Sequence, residues 1–355
     1  MSRAALHFVL PAGVDDPAQP SGGNTYDRRV AAGLAAAGWT VHEHAVRGGW
    51  PDPDPAALAE LTGVLAAVRS GESVLIDGLI GCAAPEALVP EAARLRLVLL
   101  VHLPLGAVAG SPARAGEAAV LSAAAAVVAT SGWTCERLLE WYQLAPGRVH
   151  VAHPGVDPTD SAPGTAAGGE LLCVAAVAHH KGHDILVDAL AAVRELSWQC
   201  RLVGPLDRDP RFVDRLRAQV GAYRLGDRIE LAGPRTGAEL DRAYAGADLL
   251  VLPSLGETYG MVLAEALARG LPVLATDVGG VREALGRPAA GLPGLLVPPD
   301  APAALAAALR SWLTDAELRG RLRWAAAARR STLPTWSDTV ERVGAALVSA
   351  ATSAG

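Results

Sequence analysis

Aromatic and sulfur-bearing side chains are scarce in this 355-residue chain, which has 2 Phe, 5 Tyr, 2 Met and 4 Cys. The cysteines (Cys82, Cys135, Cys173, Cys200) stand without CxxC or His-paired spacing. That excludes a zinc finger or a disulfide framework and points to thiols in a reducing compartment. A basic excess is also lacking. With 31 Lys+Arg against 37 Asp+Glu the formal charge is −6, which argues against a nucleic-acid partner, since phosphate neutralisation needs surplus cations. Long apolar runs are missing too. The longest, 118–129, is too short to span a bilayer, and residues 1–10 are ended by Pro11 and Gly13, as a first strand rather than a signal peptide. These absences predict a cytoplasmic protein without an integral membrane segment.

What is present is 51% hydrophobic and 19% charged residues, incompatible with general disorder. At about 150 residues per domain the length suggests two domains. Short apolar runs at 5–10, 40–45, 73–77, 97–102, 125–130 and 149–152 read as strands, with helices at 26–37, 55–70, 84–95 and 134–143 between them. Continuous apolar strands separated by helices predict a parallel sheet covered on both faces. Residues 154–169 then have the Pro/Gly/Ser composition of a linker. The alternation restarts with strands at 170–177, 199–203, 228–231, 249–252, 272–275 and 294–297. Helices follow at 182–195, 211–223, 237–245, 259–269 and 302–311, and a last one at 336–350. The fold class is therefore α/β, two Rossmann-like doubly wound domains facing across a cleft. In such sheets ligands sit beyond the carboxyl ends of the strands.

Four constellations could carry chemistry. Gly22 and Gly23 precede the first helix and can expose N–H groups to an anion, aided by the helix dipole. They lack the GxGxxG spacing of a dinucleotide site, and a surface turn capped by Asn24 or Thr25 explains them equally well. His102 closes the apolar run 97–102, so it either points into the cleft or is a hydrogen-bonded histidine at the core's edge. Lys181 stands before Gly182 at a helix start, a phosphate-binding arrangement. His179, His180 and His183 around it lack a ligand set of recognised metal spacing. The stretch 253–273 is the most informative. Glu257 precedes a helix, and Glu265 lies among Met261, Val262, Leu263, Ala264, Ala266 and Leu267. A carboxylate there is costly to bury unpaired. Hydroxyl groups of a ligand would satisfy it; the plainer alternative is a pair with Arg269 at i+4.

At these residues the chain resembles the retaining glycosyltransferase family 4, of GT-B fold. Glu257 and Glu265 match its E-x7-E motif, in a Ser…Glu…Gly…Glu-Ala…Gly-Leu-Pro-Val frame, followed by Thr276-Asp277-Val278-Gly279-Gly280-Val281-Arg282-Glu283. Ser21-Gly22-Gly23, Val127-Val128-Ala129-Thr130-Ser131 and His153-Pro154-Gly155-Val156-Asp157 resemble further family segments. The resemblance implies that Glu265 holds the ribose of a nucleotide and Glu257 the hydroxyls of the donor sugar. The N–H groups of Tyr259, Gly260, Met261 and Val262 would lie near sugar and phosphate, and Arg235 near the nucleobase. Lys181 with Gly22 and Gly23 would neutralise the departing diphosphate, and His102 would contact the sugar near its reacting carbon. It also implies an acceptor-binding domain at 1–160, a nucleotide-sugar-binding domain at 161–333, and a helix within 334–355 that returns to the first domain. One position departs: where the family carries a second diphosphate arginine, this chain has Ala176, so either Arg235 or a histidine of the 178–183 loop substitutes or the donor is an unusual one.

The expected reaction moves a sugar from a UDP- or GDP-sugar to a small, soluble acceptor, by front-face attack with retention. No cofactor other than this co-substrate and no metal is implied. An epimerase or donor hydrolase on the same fold, or a silent nucleotide-sugar-binding subunit, are the alternatives. The loops expected to meet the acceptor, near 15–26, 48–54 and 103–115, carry no decodable motif.

Overall fold

The computed structural model describes residues 5–107, 111–286 and 289–352. Residues 108–110 of the expected acceptor loop thus lie outside the described residues. The chain divides into two compact units. One holds the residues up to Asp16, Gly22–Gly155 and those from Pro334 onward; the other holds Pro17–Ser21 and Val156–Leu333.

The first unit is built on β1 (Ala5–Pro11), β2 (Thr40–Val46), β3 (Ser73–Asp77), β4 (Arg96–Val101), β5 (Ala126–Ala129) and β6 (Val149–Val151). They form one sheet in the order β2-β1-β3-β4-β5-β6, and each pairing is parallel. β3 and β5 are buried at every residue, as strands covered on both faces must be. The covering helices are α1 (Gly22–Ala36), α2 (Pro55–Ala67), α3 (Gly78–Gly81), α4 (Pro85–Leu88), α5 (Ala113–Ala123) and α6 (Gly132–Tyr142). The single helix expected over 84–95 does not form. Pro85 and Pro90 each open a fresh turn, giving α4 and then a 3-10 turn at Pro90–Ala93, because proline suits only the start of a helix. α5 is absent from the sequence expectation. The alanine run 118–129 crosses from α5 into β5 with no glycine or proline to mark the change.

The second unit carries β7 (Glu170–Val174), β8 (Gln199–Val203), β9 (Ile229–Gly233), β10 (Leu249–Leu252), β11 (Val273–Thr276) and β12 (Gly294–Val297). Their order is β12-β11-β10-β7-β8-β9, again wholly parallel. Its helices are α7 (His183–Ala191), α8 (Pro210–Ala222), α9 (Gly237–Ala245), α10 (Met261–Ala268), α11 (Val281–Leu285), α12 (Pro302–Thr314) and α13 (Ala316–Arg330). The linker-like stretch is not loose. Buried Asp248 accepts from the Thr165 hydroxyl (2.6 Å) and the Glu170 amide (3.0 Å), and Arg323 of α13 reaches the same carboxylate at 2.9 Å. α13, also unforeseen, hides its apolar stripe (Leu322, Ala325, Ala326) among arginines.

The last helix, α14 (Trp336–Thr352), belongs to the first unit and packs on α1, β4, β5 and β6. Val343, Ala346, Leu347 and Ala350 are fully buried there. Thr339 Oγ1 donates to the carbonyl of His153 at 2.7 Å. A side chain at Gly33 of α1 would meet Val340 at 2.3 Å, so the two helices touch through a glycine.

Candidate functional site

In the second sheet the strand order reverses between β7 and β10, and in open α/β sheets this switch point is where ligands bind. Lys181 leaves the end of β7, in a short 3-10 turn, His179–Lys181. Glu257 lies in the loop that leaves β10. Lys181 Nζ sits 2.6 Å from Glu257 Oε1, and Ser254 Oγ donates to the same oxygen at 2.7 Å. The two loops are tied by the Leu255 amide donating to the His180 carbonyl at 2.9 Å.

Three glycines make this closeness possible. Gly182 has φ +67, and a Cβ there would stand 2.2 Å from the Pro253 carbonyl oxygen. Gly279 has φ +53, and its Cβ would lie 1.7 Å from the Glu257 oxygen; at Gly280 the Thr258 oxygen would be met at 2.2 Å. The Gly279-Gly280 pair therefore supports the backbone that presents Glu257.

Gly260, at φ +88, caps α10 without a side chain. The helix starts at Met261, two residues later than the sequence suggests. The Met261 and Val262 amides thus lie in its first turn, where N–H groups lack intrahelical partners and the dipole favours an anion. Tyr259 is buried in the apolar core, only 3% exposed, so its ring has a packing role.

Glu265 is mid-helix, as expected, but the partnership with Arg269 takes another form. Arg269 donates to the main-chain carbonyl of Glu265 (2.9 Å), pairs with Asp241 and lies over the Tyr244 ring. The carboxylate instead accepts from Tyr244 Oη at 2.7 Å. Burial pushes the Glu265 carboxyl above its ordinary range, opposed by the Tyr244 hydrogen bond and the charge of Arg269. A charge held this way gains from further donors, which ribose hydroxyls would supply.

Arg235 follows β9, is largely exposed and faces Glu239 at 3.8 Å. His180 and His183, near Ala176, supply no fixed positive charge in place of the missing arginine. Burial lowers His180, and it takes His183 down to about 4, with the charge of Lys181 acting in the same direction on both. They are neutral at pH 7. Lys181 is also the sole lysine of the chain; the other cationic side chains are all arginine. That count was a signal available from sequence.

In the first unit Gly22 and Gly23 are not a loop ahead of the helix but the first residues of α1. Gly23 faces His102, whose Cδ2 would lie 3.4 Å from an added Cβ. His102 follows β4 directly, and its Nε2 is 2.8 Å from Asp27 Oδ1. Asp27 (on α1) and Asp77 (at the end of β3) are 0% and 1% exposed. Burial raises both Asp27 and Asp77 above the ordinary carboxylate range, with the charge of Asp27 adding to the rise at Asp77, and it lowers His102. Asp77 also caps α3, accepting from the Leu79 amide at 2.6 Å. The sequence reading passed over both aspartates. Asp77 carries the same signal as His102, a polar residue closing an apolar strand beside the β1/β3 switch point. Asp27, Asp77 and His102 offer ligand atoms all within 4.8 Å of one another, a spacing that hydrogen bonds fill and that a small cation would also accept.

No helix among the described residues is long and apolar enough to cross a membrane. Against known proteins, the chain is 35% identical over 250 residues to a D-inositol 3-phosphate glycosyltransferase of Catenulispora acidiphila, covering 64% of this chain and 58% of the relative. It is 36% identical to the Kineococcus radiotolerans protein of the same name, covering 64% and 57%. The chain therefore spans less than two thirds of the length of these relatives. Among solved structures, a sucrose-phosphate synthase from Thermosynechococcus elongatus superposes with TM-score 0.80 at 24% identity, covering 97% of this chain and 98% of that one. Anabaena HepE in complex with UDP and glucose gives 0.76 at 19% identity, covering 97% and 99%. The family model for glycosyl transferases group 1 matches residues 168–329, and that for glycosyltransferase family 4 matches 78–160. With these models on consecutive stretches and two parallel-sheet units of GT-B type, the chain belongs to glycosyltransferase family 4.

Proposed function

We propose that the protein is a retaining hexosyltransferase-type enzyme that moves a sugar from a UDP- or GDP-sugar to a small, soluble acceptor. The observation that carries this is the group at the β7/β10 switch point: Lys181 paired with Glu257, with buried Glu265 in the helix that follows. Lys181 supplies a compact cation for the diphosphate, and the first turn of α10 supplies oriented N–H groups. Glu265 takes the ribose hydroxyls and Glu257 those of the sugar, with Arg235 nearest the base. In the first unit, Gly22 and Gly23 open α1 toward phosphate and His102 contacts the sugar. The relatives named for transfer to D-inositol 3-phosphate support a small acceptor, and HepE, solved with UDP-glucose, supports a uridine nucleotide donor.

In the reaction the anomeric C–O bond breaks through a transition state of oxocarbenium character. Negative charge gathers on the departing β-phosphate oxygen, where Lys181 and the α10 amides stabilise it. The acceptor oxygen bonds to the same face of the anomeric carbon, and its proton passes to the leaving phosphate. Lys181 fills the role a metal would otherwise take, so activity persists in EDTA. The test is thermal stability with UDP, GDP, ADP and dTDP, for the native chain and Glu265→Ala, followed by the anomeric configuration of the product by NMR. A ligand at a hundred times its Kd adds about 2.7 kcal/mol. A shift with one diphosphate that is lost in Glu265→Ala, and a product of unchanged configuration, support the reading. No shift with any of them overturns it; turnover without added acceptor identifies a donor hydrolase instead.

A further inference from the structure

Asp27 and Asp77 are two buried carboxyls that the reaction above does not use. Asp27 Oδ1 faces His102 Nε2 at 2.8 Å. Asp27 Oδ2 has no N–H or O–H donor against it among the described residues, and the carboxyl of Asp77 lies against that of Asp27. Two carboxyl oxygens meet favourably only with a proton between them, because like charges at this depth cannot both ionise. Among the described residues the neighbouring side chains offer no substitute. Tyr26 gives its hydroxyl proton to the Ala152 carbonyl at 2.9 Å. Arg28 turns outward to Asp15 and Glu43. Cys82, buried near Asp77, is a thiol whose own ionisation is pushed up.

We propose that Asp27 and Asp77 share one proton and thereby fix His102 as its neutral Nε2–H tautomer, leaving Nδ1 to accept a hydrogen bond from a ligand hydroxyl. The proposal rests on the reading of His102 as a sugar contact, and it makes the two aspartates positioning residues. One proton on His102 Nε2 and one between the carboxyls satisfy each oxygen that faces another group in the cluster. The remaining Asp77 contact, from the Leu79 amide, holds that carboxyl in place. Residue 102 then differs from a solvent histidine in a definite way: it is an acceptor toward the ligand.

The test uses the full chain labelled with 15N, with the His102 signals assigned by His102→Gln. The expected spectrum shows the Nε2–H tautomer with no protonation between pH 5.5 and 7.5. Asp77→Asn should retain it, since an amide N–H takes the place of the shared proton, whereas Asp77→Ala should lose it. Denaturant unfolding gives a second readout. The folded pair keeps a proton that the unfolded chain releases above pH ~4, so the unfolding constant of the native protein should rise about tenfold per pH unit relative to Asp77→Asn between pH 5 and 7. Parallel pH slopes, an imidazolium or an Nδ1–H tautomer overturn the proposal. So does one equivalent of divalent metal in the purified protein that is lost in Asp27→Asn. None of these readouts depends on turnover, so a failed nucleotide test leaves them interpretable.

Discussion

Lys181 Nζ lies 2.6 Å from Glu257 Oε1, and this ion pair joins the loops leaving β7 and β10. The lysine side chain is 22% exposed and the glutamate 11%, so each restrains the other while Lys181 stays open to a ligand. Because Lys181 is the only lysine, amine chemistry can address it alone, with the N-terminal amine as internal reference. A nucleoside diphosphate should slow its acetylation severalfold and leave the N-terminus unchanged, as peptide mass analysis would show. Lys181→Ala should lower kcat by about 10²–10³, the range for losing one preorganised charge contact. Lys181→Arg should recover little, because a planar fork does not reproduce a compact ammonium.

The glycine pair behind Glu257 makes a prediction about structure rather than charge. Gly279→Ala places a Cβ within 1.7 Å of the Glu257 carbonyl oxygen at a φ of +53. It should cost on the order of 3 kcal/mol and weaken nucleotide binding together with stability. Gly256, in the same loop, has no atom within 4 Å of a built Cβ, so Gly256→Ala should leave the unfolding midpoint unchanged. Equal midpoints for the two variants would remove the supporting role assigned to Gly279.

Strand positions and the parallel, doubly wound class were largely legible, because short apolar runs between helices admit few other folds. The boundary errors have physical causes. α5 was hidden because alanine serves helix and buried strand alike, and α13 because arginines interrupt its short apolar stripe, although they hold the 156–169 stretch. In the site, Lys181, Glu257 and Glu265 were visible through motif spacing. Asp27 looks ordinary in its own segment, and Asp77 shows only that it closes an apolar strand; the β1-β3-β4 order is what brings both to His102. The replacement of a family arginine by a loop histidine looked open in sequence. Burial disfavours His180 and His183 in that role, by holding both toward the neutral form.

Tyr244 tunes Glu265. Its hydroxyl donates to Glu265 Oε2 at 2.7 Å and opposes the upward push of burial on that carboxyl. Tyr244→Phe removes a hydrogen bond to a charged group, worth about 1.5–3 kcal/mol, and so raises the Glu265 pKa further. Nucleotide binding needs the carboxylate and weakens as pH falls through that pKa. In the variant this acid limb should therefore move to higher pH, with binding at pH 8.5 least affected. Calorimetric titrations from pH 5 to 8.5 would show it; an unshifted limb would mean that Glu265 does not meet the nucleotide as an anion.

His183, fully buried under the Lys181 turn with Nε2 3.7 Å from Cys173 Sγ, gives the fold a pH dependence of its own. Burial first, then the charge of Lys181, holds its pKa at about 4, against about 6.5 in an unfolded chain. Below pH 6.5 the unfolded state takes up a proton that the folded state refuses, so stability falls as pH drops from 6.5 toward 4. Over that window the difference amounts to about 3 kcal/mol. His183→Leu removes the titrating group and keeps an apolar body in the core. Its stability relative to the native chain should improve by roughly that amount between pH 7 and pH 4.5, whatever the absolute cost of the change in shape. Urea denaturation at the two pH values measures it, and a constant difference would show that His183 takes up its proton equally in the folded and unfolded states.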